Sequence, residues 1–205
     1  MLTIGICGAS GSGKSTLAEE LQQRITRPCI LLKQDSYYRD HPDMDFSQRE
    51  RINYDEPEAF EHDLLRDDLF ALRNNKPITV KSYDYKQHRR NDPGELIQPA
   101  DVVLLEGIHV FYDPEVRRLL DFKIFIQVDP DICLLRRVQR DISERGRQVD
   151  SVARQYMETV KPMFERHIRN YVNYADLIVA QGGKNARIVD MLAFYINAGM
   201  VKESK

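Results

Sequence analysis

Apolar residues along the chain follow two rhythms. Leu2–Cys7, Cys29–Leu32, Val102–Leu105, Phe122–Val128 and Leu177–Ala180 are short, nearly continuous runs. Such runs predict strands covered on both faces. Between them the spacing turns helical. Ser15–Ile25 repeats Leu17, Ala18, Leu21 and Ile25, and Pro57–Arg73 places Phe60, Leu64, Leu65, Leu69 and Leu72 on one side. Asp129-Pro130 supplies a cap and first-turn proline for a helix towards Glu144, with Ile132, Leu135, Val138 and Ile142 expected inward. Val149–Tyr174 repeats Val152, Tyr156, Val160, Phe164 and Ile168, with a kink expected at Pro162, and a closing helix is expected near Ala186–Ile196.

Two stretches break this alternation. Pro42–Asn53 is polar and predicts an exposed loop. From Pro77 to Gln98 the period becomes two, with Ile78, Val80 and Ser82 on one face and Lys81, Tyr83 and Tyr85 on the other. With the turn-prone "NDPG" and then "ELIQ", it predicts a hairpin inserted between helical units. Strands alternating with helices predict an α/β fold with a parallel sheet.

The first strand runs straight into "GASGSGKST", Gly8 to Thr16. Gly8, Gly13, Lys14 and Ser15 satisfy GxxxxGK(S/T), with a strand before and a helix after, which is the setting of a phosphate loop. Glycines let main-chain N–H groups of Gly8, Ala9, Ser10, Gly11, Ser12 and Gly13 turn inward, and the helix dipole favours an anion. Lys14 then neutralises β/γ oxygens and the Ser15 hydroxyl takes a Mg²⁺ position. The fold class expected is therefore a P-loop NTPase-type parallel sheet flanked by helices. It is read as one domain over residues 1–205, with 77–98 as a small β-hairpin lobe and 140–149 as a lid.

The charge balance narrows the partners. Thirty basic against 32 acidic side chains give −2, so no bulk attraction to nucleic acid or anionic membrane is expected. Cys7, Cys29 and Cys133 form no CxxC pair and read as free thiols in a reducing compartment. No apolar run nears the length of about 18 that spans a membrane, and no leader is recognised, so a cytoplasmic location is expected.

Ligands of an open parallel sheet sit at the carboxyl ends of its strands. Asp35 and Glu106 occupy such ends. Asp35 suits a general base on an acceptor hydroxyl and Glu106 a Mg²⁺ ligand, although the roles can be exchanged. A turn cap and a solvated strand end are the competing readings. "RRVQRDISERGR" gathers Arg136, Arg137, Arg140, Arg145 and Arg147. It reads either as a solvated helix face with pairs such as Arg137–Asp141, or as a flap whose cations meet a transferring phosphoryl group and exclude water. "SYDYKQHRR" offers tyrosine rings for stacking and His88 for reading a planar heterocycle, while its basic residues would equally suit a phosphorylated sugar.

Taken in order, "GICGASGSGKST", "QDSYYRD", "NYDEPEAF", "SYDYKQHRR", "ADVVLLEGIHVF", "RRVQRDISERGR", "QYMETVKPMFERHI" and "GGKNARIVDML" resemble the uridine kinase (uridine–cytidine kinase) family over nearly the whole chain. The resemblance implies phosphorylation of the 5′-hydroxyl of uridine or cytidine in pyrimidine salvage, with ATP or GTP as donor, Mg²⁺ as cofactor and a homotetrameric assembly. It implies Asp35 as base with Tyr38 beside it, Asp55 and Arg137 on the ribose, and Tyr83 and His88 on the pyrimidine edge. Tyr85 and Ile108 would pack on the ring, Arg147 and Gln155 complete the pocket, Arg140 and Arg145 face the phosphates, and the segment near Lys184 meets the adenine. The chain departs from the family's usual pattern at Glu56, Ser82, His109 and Gln181. The rival readings are a P-loop kinase of the phosphoribulokinase-like or pantothenate kinase-like type, or a nucleotide-sensing ATPase.

Overall fold

The computed structural model describes residues 1–180 and 184–199, and Gln181 lies outside them. The five apolar runs form one parallel sheet: β1 (Leu2–Gly8), β2 (Cys29–Lys33), and three later strands whose ranges follow below. After β1 comes α1 (Lys14–Arg24), and after β2 a 3₁₀ turn at Gln34–Tyr37. The polar stretch expected to be loop contains a one-turn helix, α2 (Phe46–Arg49), closed by a capping box between Asp45 and Gln48. The single helix expected over Pro57–Arg73 is a 3₁₀ turn, Pro57–Ala59, and then α3 (His62–Arg73). Phe60 is fully buried in the bend between them, whereas Leu64 faces solvent.

The inserted stretch folds as two nested ribbons. β3 (Ile78–Val80) pairs antiparallel with β6 (Glu95–Ile97), and inside them β4 (Tyr83–Asp84) pairs with β5 (Arg89–Arg90). Ser82 helps close this ribbon: its carbonyl accepts from the Asn91 N–H (2.8 Å) and its hydroxyl from the Asn91 side chain (3.0 Å).

The chain then returns to the sheet as β7 (Val102–Gly107), passes through α4 (Pro114–Arg118) and continues as β8 (Phe122–Gln127). α5 (Pro130–Ser143) and α6 (Val149–Gln155) follow. The long helix expected to Tyr174 is interrupted by a π turn at Tyr156–Val160, just before Pro162, then resumes as α7 (Lys161–Arg166) and a 3₁₀ stretch, Ile168–Tyr174. β9 (Leu177–Ala180) and α8 (Ala186–Asn197) complete the described fold.

Strand order is β2-β7-β1-β8-β9. Alternate residues of the central strands feed two cores, which is why these strands read as unbroken apolar runs. Ile4, Ile6, Val102 and Leu104 pack under α1 and α8, while Cys7, Val103 and Leu105 pack under α3 and the 3₁₀ stretch containing Tyr171. The chain leaves β1 in one direction and β8 lies on the other side, so the carboxyl end of β1 is a switch point where a crevice opens.

α5 overturns one expectation. Its buried residues are Cys133, Arg137 and Asp141, whereas Ile132, Leu135 and Ile142 are exposed. Pattern reading turns the apolar stripe inward, but this helix turns its charged side towards the crevice.

Candidate active site

The phosphate loop leaves β1 and wraps the start of α1, whose first turn carries no side-chain cap and presents open N–H groups. Gly11 has φ +82°, and a Cβ there would lie 2.3 Å from the Cys133 carbonyl oxygen, so only glycine fits against α5. Gly11, Gly13, Lys14, Ser15 and Thr16 line a broad groove with Lys184, Arg140 and Arg145. Gly8, Ala9 and Ser12 do not line it; Ser12 is fully buried beneath the loop, and the Ala9 carbonyl accepts from Lys14 Nζ at 2.9 Å.

Two charged groups are fixed below this groove. Burial pushes the Lys14 ammonium down, with Glu106 opposing the change, and pushes the Glu106 carboxyl up, with Lys14 opposing it. Ser15 donates to Glu106 Oε1 at 2.9 Å. A hydroxyl and one buried carboxylate facing a phosphate cradle fit Mg²⁺, which keeps several waters and takes substrate phosphates as ligands. No cluster of three or more His, Cys, Asp or Glu side chains placed to hold a metal occurs among the described residues.

A second cleft opens beside Lys14 and Ser15. Asp35, Glu106 and all nine residues expected at an acceptor line it: Tyr38, Asp55, Tyr83, Tyr85, His88, Ile108, Arg137, Arg147 and Gln155. Asp35 comes from the 3₁₀ turn after β2, and the Tyr85 hydroxyl donates to its Oδ2. Burial and then Asp35 raise the Tyr85 hydroxyl far above the phenol range, so it stays protonated and can donate to the carboxylate. The Arg145 guanidinium lies 3.8 Å from the centre of the Tyr85 ring.

The hairpin turn builds the aromatic end. Asp84 Oδ1 accepts from the N–H groups of Lys86 (2.7 Å) and Gln87 (3.1 Å), an Asx turn that ends with His88 at φ +50°. His88 stacks on Tyr54 (4.8 Å, 12°), and Tyr38 lies edge-on to Tyr54 at 5.4 Å and 4.7 Å from Tyr83. Burial, then Arg147, Arg49 and Arg145, lower His88 to about 4, so its ring is neutral near pH 7.

The opposite wall is an arginine cluster organised by carboxylates. Arg137 donates to Ser10 Oγ (2.9 Å) and to Gln155 Oε1 (3.0 Å), and lies 3.7 Å from Asp55. Gln155 Oε1 also accepts from Arg147. Asp141, fully buried, meets Arg140 at 2.8 Å, Arg145 at 3.3 Å, Arg137 at 3.6 Å and Arg147 at 4.0 Å. Burial alone would raise its carboxyl, but Arg140, Arg137 and Arg145 outweigh that and hold it below the usual range. Arg140 is therefore a helix residue of α5, whereas Arg145 and Arg147 sit on the short loop that turns at Gly146 (φ +66°).

Sequence reasoning passed over two contributors and misplaced a third. Tyr54 supplies the stacking partner of His88 and stands inside the stretch "NYDEPEAF". Thr159, in the π turn, donates to Asp55 Oδ2 at 3.0 Å. Asp141 is the buried hub of the arginines rather than one half of a solvated pair.

The protein is similar to known kinases along its length. Residues 3–187 match the family model described as Phosphoribulokinase / Uridine kinase family. The uridine kinase of Leuconostoc citreum (strain KM20) is 46% identical over 206 aligned residues, covering 99% of this chain and 98% of that protein. The uridine kinase of Lactobacillus helveticus (strain DPC 4571) is 44% identical over 191 residues, covering 92% and 90%. The solved phosphoribulokinase from Rhodobacter spheroides superposes with a TM-score of 0.64 at 17% identity, covering 87% of this chain and 69% of that one, a likeness of fold alone.

Proposed function

This chain belongs to the phosphoribulokinase/uridine kinase family, and we propose that it transfers the γ-phosphoryl group of ATP or GTP to the 5′-hydroxyl of uridine or cytidine. One observation carries the reading. A single cleft joins the phosphate loop, a carboxylate at a strand end and a slot walled by Tyr38, Tyr54, Tyr83, Tyr85 and His88. An uncharged planar base is bound by stacking and by hydrogen bonds to such groups.

In this reading Asp35 accepts the 5′-hydroxyl proton as the oxygen attacks, and Arg140 and Arg145 meet the equatorial oxygens of the transferred group. Asp55 and Arg137 hold the ribose, while Tyr83 and His88 read the pyrimidine edge, with Tyr85, Ile108, Arg147 and Gln155 closing round it. Lys184, which lines the groove, meets the adenine in this reading. Ser15 and Glu106 would hold Mg²⁺, which when bound neutralises charge on the donor phosphates. The reading includes a homo-oligomer in cytoplasmic pyrimidine salvage, without nucleic-acid or membrane partners. The exposed Ile132, Leu135 and Ile142 on α5 support the oligomer, and no described helix is long and apolar enough to cross a membrane.

The test is an acceptor panel assayed by nucleoside-dependent ADP release, with uridine, cytidine, ribulose 5-phosphate and pantothenate. Uridine or cytidine is expected to be the turned-over acceptor, and Asp35→Asn to lower kcat by about 10²–10⁴. Inert pyrimidine nucleosides, or a fully active Asp35→Asn, would overturn the reading.

A further inference from the structure

The loop after β7 carries a histidine that the cleft does not touch. His109 is fully buried, yet all of its polar groups are used. Its Nε2 lies 2.7 Å from the Asp55 carbonyl oxygen. A carbonyl can only accept, so Nε2 carries the proton. Nδ1 is then the acceptor for the Tyr171 hydroxyl at 2.9 Å. The His109 N–H donates to Gln34 Oε1 at 2.8 Å, in the same 3₁₀ turn that carries Asp35. Edge-on rings of Phe60, Tyr112, His167 and Tyr171, with centres 5.8 to 6.2 Å away, wedge the imidazole in place. Burial above all holds it neutral, at about 3.

Asp55 is reached from every side. Its N–H donates to Asn53 Oδ1 (3.1 Å), Thr159 donates to one carboxylate oxygen (3.0 Å), and Arg137 stands 3.7 Å from the other. The carbonyl is held by His109. We propose that His109 is a positioning residue for the acceptor: its Nε2–H fixes the Asp55 main chain so that the Asp55 carboxylate and Arg137 meet the ribose as a unit. The inference rests on the proposed acceptor role of Asp55. Ordinary core packing would need neither a fixed tautomer nor a chain of donors running from Tyr171 to Asp55. A leucine would fill the space and leave a buried carbonyl unpaired.

The experiment compares His109→Leu, His109→Gln, Asp55→Asn and the double variant Asp55→Asn/His109→Leu in steady state, with uridine and ATP varied separately. His109→Leu is expected to raise the nucleoside KM about tenfold while the ATP KM stays within about twofold. His109→Gln, which can still donate to the carbonyl, is expected to recover most of that loss. The double variant is expected to be no worse towards nucleoside than Asp55→Asn alone, because His109 acts through Asp55. Fully additive effects, or equal shifts in both Michaelis constants, would overturn the proposal. Should His109→Leu not fold, His109→Phe carries the test: it keeps a flat ring in the pocket but cannot donate to the Asp55 carbonyl, and an unchanged nucleoside KM would count against the idea. If Asp55→Asn leaves the nucleoside KM untouched, it is the acceptor reading that fails.

Discussion

Replacing Asp141 by asparagine removes one negative charge from among four arginines and changes almost no volume. The carboxylate takes both Nε and Nη2 of Arg140 on Oδ1 (2.9 and 2.8 Å), with Arg145, Arg137 and Arg147 further out. Removing one partner of a buried ion pair costs about 3–5 kcal/mol. Arg140, Arg145 and Arg147 keep 30%, 17% and 22% of their side-chain surface in water, so they can rehydrate, and the low end, about 3 kcal/mol, applies. For a chain of this size that is a melting point lowered by about 6–12 °C. The folded carboxyl titrates below its ordinary 3.8. Its contribution is therefore complete above that value and is lost as pH falls through the folded value. Calorimetry from pH 8 to 5 is expected to show a constant deficit, narrowing only below about 3.8. Donor phosphates supply the missing anion, so saturating ATP is expected to stabilise Asp141→Asn more than the parent. A variant melting within about 2 °C of the parent, with the same response to ATP, would refute the hub argument.

Two further outcomes follow from the cleft. The Tyr85 hydroxyl holds Asp35 before any acceptor arrives, so Tyr85→Phe, which keeps the ring beneath Arg145, is expected to lower the nucleoside KM about three- to tenfold. A raised KM in steady-state assays would mean that the hydroxyl helps the base instead of competing for it. His109 and His88 are neutral when folded, at about 3 and about 4 against an ordinary 6.5, so unfolding lets each take a proton as pH falls below 6.5. Stability is full above that value and declines on acidification by about 1.4 kcal/mol per pH unit per histidine. Urea midpoints between pH 6 and 5 are expected to fall less steeply in His109→Leu, by about one proton's worth, and parallel slopes would refute the assignment.

What could be read in advance depended on whether a residue's role was local. The strands were legible because a central parallel strand is covered on both faces and so has no polar side. The phosphate loop was legible because its donors lie within nine consecutive residues, Gly8 to Thr16. Thr159 was not, because its partner Asp55 lies 104 positions away and a hydroxyl alone has no signature. Asp141 was visible as an i,i+4 partner of Arg137, but that spacing is the same on a solvated face and in a buried cluster. α5 misled for a related reason. Its stripe of Ile132, Leu135 and Ile142 is a sound amphipathic pattern, and only the crevice on its other side reveals that the charged face is the one that packs.

The charges of the cleft are already paired before ligand binding, and this bears on how water is kept out of the reaction. Asp35 has Tyr85, Arg137 has Ser10 and Gln155, and Asp141 has its arginines. A ligand entering such a site exchanges hydrogen bonds, and an exchange nets only about 0.5–1.5 kcal/mol for each ordinary bond. One water beside Asp35 would recover one bond while disturbing the Tyr85–Arg145 contact. A molecule carrying an alcohol, two vicinal hydroxyls and a flat polar ring can replace several partners at once and add stacking in the slot. Discrimination between them comes from groups left unpaired by the smaller ligand, each a desolvated donor or acceptor costing about 1–3 kcal/mol. On the proposed reading, the internal pairing makes partial occupancy unfavourable and favours an acceptor large enough to re-pair the whole wall.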